Sequence, residues 1–479
     1  MELSAVKNFI RILSFCTFAT AMAPSCSSKS PKPQEATDKR PNTDPSMTNP
    51  NQGTDGPTET GGTRSQPGDK AGGGSTPSKR IPTVAGTLDP DALLALAQKQ
   101  PEGGIDRLLA SLPAGYLGNF VLVHASRSQQ MATGTRPRQI LYGWDARFML
   151  GVPGDEQAKT VEFASFNEAT GLYEYGTLTF AEGGPKLDLD ATKCEGCHGK
   201  PARPIWGSYP KWPGVYLDHI NQIASEDQQN FKAFVEQGLP SPRYSSLKIK
   251  AAADGSSFTA VNERAYNFPN TNFQNSLQNT VSYGAFIRLQ SHPAYESLKW
   301  ALLAYGDFMT CRGAPAGQAI DQRVAELYSQ RLSSDSAFSA RYGNDTGLDA
   351  KYKLYRLLGI DPGKELNLEE PGSTATTGPG TPRGFWYGGG VTLDDQITLQ
   401  SLAALAANDA FLQQAFASTL PLATQLVGKL RLAGDARFQA LRSEMEYPNW
   451  YNIQNVFAPV TAGGNGAICQ YLQGKITTP

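Results

Sequence analysis

Cysteine and histidine are scarce in this chain, six and four among 479 residues. That scarcity excludes much chemistry. A zinc site wants further ligands at close spacing, and the sequence holds no HxxxH and no CxxC besides Cys194–Cys197. With so few histidines hardly any Ser-His-Asp set could exist, and none is visible. An excess of either charge is lacking too. Lys and Arg number 43 against 44 Asp and Glu, so nothing marks the chain for nucleic acid or an anionic lipid surface. Long apolar runs are missing, since Ile12 to Ala23 holds about a dozen residues and a membrane helix needs about 20. Gly384-Phe-Trp-Tyr-Gly-Gly-Gly390 is glycine-rich but lacks the strand-loop-helix frame and Lys-Ser/Thr ending of a phosphate loop.

What is present is Cys194-Glu-Gly-Cys197-His198, a CxxCH. Two thiols at this spacing can each form a thioether to one haem vinyl group, and the adjacent imidazole then serves as the proximal iron ligand. With this many Cys and His, such a pattern arises by chance on the order of once in a thousand sequences. Other uses are open. A thioredoxin-like thiol pair would need a strand before it and a helix carrying it, and Pro201 and Pro204 argue against a long helix starting at Cys194. A structural disulfide within the motif would leave His198 without a role.

Covalent haem c is attached outside the bacterial inner membrane, so the motif demands export. Lys7 and Arg11 followed by the apolar run read as a signal peptide, residues 1–25. Ala19-Thr20-Ala21 offers ordinary cleavage. Alternatively Ala23-Pro24-Ser25-Cys26 is an imperfect lipobox that makes Cys26 a lipidated N-terminus and membrane anchor, and its polar downstream context favours this. Residues 26–84 are rich in Pro, Ser, Thr, Gly, Asp and Lys, too polar to offset ordering entropy, and read as a disordered tether. Cys311 and Cys469 are then left over, and in an oxidising compartment a disulfide between them is the default; a thiolate haem ligand from Cys311 is the other use.

The expected fold class is α+β. Residues 85–190 read as a helix (Pro90 to Leu112) and an antiparallel unit of about five strands, with Asn167-Glu-Ala-Thr-Gly171 as a hairpin connection. Residues 191–370 read as a mostly helical haem-binding body with helices near Tyr216–Gln237, Asn275–Leu289, Pro293–Phe308, Gln318–Leu332 and Ala350–Leu358. A Gly/Pro/Thr-rich loop at 371–382 sets off residues 371–479, whose helix Asp394–Ala417 begins at a capped Thr392-Leu-Asp-Asp395 and belongs to a C-terminal lobe.

After the motif come two Trp, two Tyr and four Pro up to Tyr216, a rigid aromatic wrap suited to a flat apolar cofactor. Arg203 is the expected propionate partner, and Trp206 and Trp212 the pocket wall. Here the chain resembles a group of bacterial exported proteins, often lipoproteins, with one cytochrome-c-like CxxCHG. In that group the motif is followed by Arg-Pro-x-Trp-x-x-Tyr-x-x-Trp-Pro-Gly-x-Tyr, which corresponds to Arg203, Pro204, Trp206, Tyr209, Trp212, Pro213, Gly214 and Tyr216. The likeness continues at Pro242-Arg-Tyr-x-x-Leu247 and weakly from Asn272 to Cys311, and hardly reaches the C-terminal third. It implies haem c binding and carries no established reaction.

The sixth iron position stays open among His219, Met309 and no protein ligand. His292 reads as a turn or cap residue and His124 as a packed one. The expectation is a c-type cytochrome with a single covalent haem, passing electrons to a periplasmic redox partner at the cell envelope. The alternatives are a peroxidase-like haem enzyme with an open distal side, or a thiol-redox protein without haem.

Overall fold

Strand periodicity divides the molecule in two. Phe120–Val123 (β1), Arg138–Tyr142 (β2), Phe148–Val152 (β3), Thr160–Asn167 (β4), Leu172–Ala181 (β5) and Gly184–Asp188 (β6) form an antiparallel meander in chain order. Successive side chains on a strand face opposite ways. Phe120, Leu122, Leu141, Phe148, Leu150, Val161, Phe163 and Leu178 therefore share one apolar core. Val121, Val123, Tyr142, Met149, Ala164, Phe166, Tyr173 and Tyr175 belong to another. Each fully buried large apolar side chain contributes about 1.5–3 kcal/mol, so this alternation holds a helical layer on both faces of one sheet.

These observations come from a computed structural model that describes residues 88–126, 130–143, 145–190, 192–198, 202, 204, 214–218, 221–261, 269–309, 311, 315–344, 347–366, 392–430, 450–462 and 466–477. The fold class is α+β, an antiparallel sheet followed by a mostly helical body. The signal peptide, Cys26 and nearly all of the tether lie outside the described residues. Among the described residues no helix is long and apolar enough to cross a membrane.

On the first face sit Pro90–Gln98 (α1), Gly104–Ser111 (α2) and Ala114–Leu117 (α3), through Leu93, Ile105, Leu108 and Tyr116. The expected single helix from Pro90 to Leu112 is broken. Pro101 starts a 3-10 turn, and Gly104 takes φ +59°, a left-handed conformation that only glycine adopts at little cost. The sheet holds one strand more than the sequence suggested, because β6 carries only Leu187 as an apolar anchor among Gly, Pro, Lys and Asp. The β4–β5 hairpin stands where expected. Asn167 Oδ1 accepts from the amides of Ala169 and Thr170, and Gly171 closes the turn at φ +66°.

Past Thr192–His198 (α4), the segment expected as helix from Tyr216 is irregular up to Ser225–Ala233 (α5), which continues as a π turn to Gly238. The irregular part does edge work instead. Val215 bridges to Val123, and the amides of His124 and Ala125 donate to the Gly214 carbonyl. Gly214 has φ +81°, and a Cβ there would lie 2.3 Å from Ala125 O, so the position needs glycine twice over. Ile249–Ala251 (β7) and Phe258–Ala260 (β8) form a small hairpin against the first core. The Pro242–Leu247 stretch is a set of anchors. Arg243, 1% exposed, donates to Asp106 and to the carbonyls of Pro153, Asp155 and Glu156, and Tyr244 donates to Pro137 O.

The second face carries the helical body: Pro269–Ser291 (α6), Tyr295–Ala304 (α7), Pro315–Ser334 (α8), Ser336–Tyr342 (α9), Ala350–Leu357 (α10) and Pro362–Glu365 (α11). Leu393–Ala406 (α12), Ala410–Ala415 (α13), Leu420–Leu430 (α14), Trp450–Val456 (α15), Ala458–Ala462 (α16) and Gly466–Thr477 (α17) complete it. Asp409 caps α13, which separates it from α12 where one helix to Ala417 was expected. The C-terminal helices form no lobe of their own. Ile397, Leu402, Val456 and Leu472 share the core that holds Phe273, Leu277 and Leu302, and α12 packs on α6 and α7. Their contact is partly polar. Ser282 Oγ donates to Gln396 Oε1 (2.6 Å) and Gln396 Nε2 to Asn279 Oδ1 (2.9 Å), a buried pairing that fixes the register of α6 on α12. Cys311 and Cys469 are joined in a disulfide with Cα atoms 5.4 Å apart, so Cys311 offers no thiolate to an iron.

Candidate functional site

The CxxCH sequence lies on α4, directly after the sheet. Asp188 and Asp190 turn the chain there, Asp190 Oδ1 accepting from the Thr192 amide at 3.0 Å. The helix is described over Thr192–His198, and Ala202 and Pro204 are already outside it, so it is shorter than the long helix a thioredoxin-like pair rides on. In a helix of 3.6 residues per turn, positions i, i+3 and i+4 share a face. Positions 194, 197 and 198 are such a set, so the two cysteine positions and the histidine position fall on one side. Cys194 is half-buried and packs against the helical core. His198 is half-buried and lies against Tyr175 of β5, with ring centroids 4.6 Å apart and planes 38° apart.

Tyr175 belongs to a straight row across the sheet. Tyr142 pairs with Met149, Met149 with Ala164, and Ala164 with Tyr175. Next to it, Ala202 and Pro204 of the segment after the motif line a cleft with Phe166, Tyr173, Val281 and Arg288. Arg288 is ion-paired with Glu365 through one nitrogen, while its buried Nε has no hydrogen-bond partner. The donor set fits a covalent haem: positions 194, 197 and 198 share one helical face, with Cys194 and His198 half-buried on it, an aromatic floor, and a buried guanidinium N–H able to serve an acidic group.

The other expected site residues are not brought to α4 by anything described. Arg203, Trp206, Trp212 and His219 lie outside the described residues, as does the side chain of Cys197. Met309 is wholly buried in the helical core, its carbonyl oxygen 3.9 Å from Cys469 Sγ. His292 accepts from the Ala294 amide through Nδ1 (3.2 Å), and His124 Nε2 stands 3.5 Å from Asp227 Oδ2.

A second constellation had no sequence signal beyond Thr392-Leu-Asp-Asp395, read as a capped helix start. The Thr392–Asp395 capping box is present, yet Asp394 and Asp395 are 2% and 3% exposed. Lys351 of α10 bridges Asp394 and Asp307, 3.0 Å from the latter, and Tyr355 donates to Asp394. Burial works against the Lys351 charge, but the two carboxylates outweigh it and hold the ammonium protonated well above its ordinary range. Burial, then the neighbouring Asp394, push Asp395 up to about 7. Since the folded value exceeds the unfolded ~3.9, this group's contribution is present below pH ~4 and lost as pH rises through 7, about 4 kcal/mol in all. Asp395→Asn, which keeps the capping acceptor, is expected to leave stability unchanged at pH 4 and raise it at pH 8; chemical denaturation at both pH values checks it.

No protein-family model matches this chain, and neither a curated protein nor a solved structure does.

Proposed function

We propose that this chain is a c-type cytochrome that carries one haem bound through Cys194 and Cys197, with His198 as proximal ligand, and transfers single electrons at the cell envelope. The observation that carries the reading is the common helical face of positions 194, 197 and 198, closed behind by Tyr175. When bound, the haem supplies a one-electron couple. The chain's own residues hold and insulate it: Tyr175 limits the tilt of the His198 ring, and the Arg288 Nε–H is placed to receive an acidic edge group. An exported chain anchored through Cys26 would present this site to a periplasmic redox partner from the end of a long tether. Haem is expected to stay on the polypeptide in a denaturing gel of protein matured in a haem c-assembling host. It is expected to be absent from Cys194→Ala/Cys197→Ala, while a double variant that keeps its haem would sink the reading.

A further inference from the structure

We propose that Met149 is the sixth ligand of the iron. The proposal rests on the cytochrome reading and adds to it the residue that decides between electron carrier and open-site enzyme. Two observations carry it. The first is register: Met149, Ala164 and Tyr175 are direct cross-strand partners on β3, β4 and β5, and His198 lies on Tyr175. With strands about 4.8 Å apart, Met149 and Tyr175 stand about 10 Å apart across a single residue. That residue is alanine, the smallest side chain of the row, so it takes up the least space between the thioether and the tyrosine that lies against the imidazole of His198.

The second observation is what else the described residues offer. Met131 is 77% exposed, and Met309, though in the same core as Met149, lies off the sheet in a 3-10 turn beside the disulfide. His124 lies past the end of β1, with three strands between it and β5, and faces Asp227. His292 caps the turn into α7. Met149 is the one methionine or histidine among the described residues that shares a sheet face and a register row with the partner of His198. At 7% exposure it would also keep water from the iron, and His/Met ligation raises the reduction potential of a haem c.

The test uses the full chain matured in a haem c-assembling host, comparing wild type, Met149→Leu, Met149→His and Met309→Leu. Leucine conserves volume, so the sheet is expected to fold. The ferric wild type is expected to be low-spin with a sulfur-to-iron charge-transfer band in the near infrared. Met149→Leu keeps its haem content, loses that band completely and becomes high-spin. Met149→His is low-spin again without the band and at a lower midpoint potential, and Met309→Leu matches wild type. A band that survives in Met149→Leu, disappears in Met309→Leu, or is absent from a haem-loaded wild type overturns the assignment while leaving the cytochrome reading intact. Absence of covalent haem from the wild type overturns both.

Discussion

Replacing both Cys311 and Cys469 with alanine is expected to lower stability by about 5 kcal/mol. The bond closes a loop across a separation of 158 residues, and the loop-closure relation assigns that length about 5 kcal/mol of unfolded-state entropy. The native contacts of α17 do not depend on the bond: Leu472 and Ile476 stay in the core, and Tyr471 stacks on Phe411 at 4.0 Å. The loss is therefore expected in the unfolded state, with the folded structure retained. For the roughly 310 described residues at ~2.1 cal/mol/K each, this is a fall in Tm of about 8 °C. Urea unfolding of the wild type and the double variant measures it. A difference under about 1 kcal/mol, or loss of the native circular dichroism spectrum in the variant, would contradict this account.

The second large effect belongs to Lys351. Lys351→Met keeps the aliphatic stem and removes the ammonium, leaving the buried Asp394 without its counter-charge and close to Asp307 and Asp395. Stranding one partner of a buried ion pair costs about 3–5 kcal/mol. The cost has a pH signature, because protonating the stranded carboxylates relieves it. The variant is expected to be severely destabilised at pH 8 and much less so at pH 4. The pair links α10 to α12, so the damage should show first as faster amide exchange in those helices. Equal destabilisation at both pH values would mean that lost packing, not stranded charge, is responsible.

How far the sequence carried depended on how local each signal was. The strands were readable because β1, β3, β4 and β5 alternate or run apolar over four or more residues, and the β4–β5 turn spells its geometry in Asn167 and Gly171. β6 was not, since pairing with β5 rather than its own side chains makes it a strand. α6 and α12 were legible as helices, but not as the most buried ones. Hydrogen bonding among Asn279, Ser282 and Gln396 across the contact lets these polar residues be buried, and neither helix signals that by itself. The CxxCH at Cys194–His198 was legible because it is five consecutive residues, and its helix places positions 194, 197 and 198 on one face. Met149 was invisible, because its relation to His198 exists only through the register of three strands. Met309 is buried in the core beside the Cys311–Cys469 disulfide.

The most direct test of the central claim is a pyridine haemochrome spectrum, taken after complete denaturation and acid–acetone extraction, of the full chain matured in a haem c-assembling host. A haem c spectrum that stays with the protein, at one haem per chain, is the predicted result. Haem that extracts into the solvent, or no haem at all, would contradict it and return Cys194 and Cys197 to thiol chemistry.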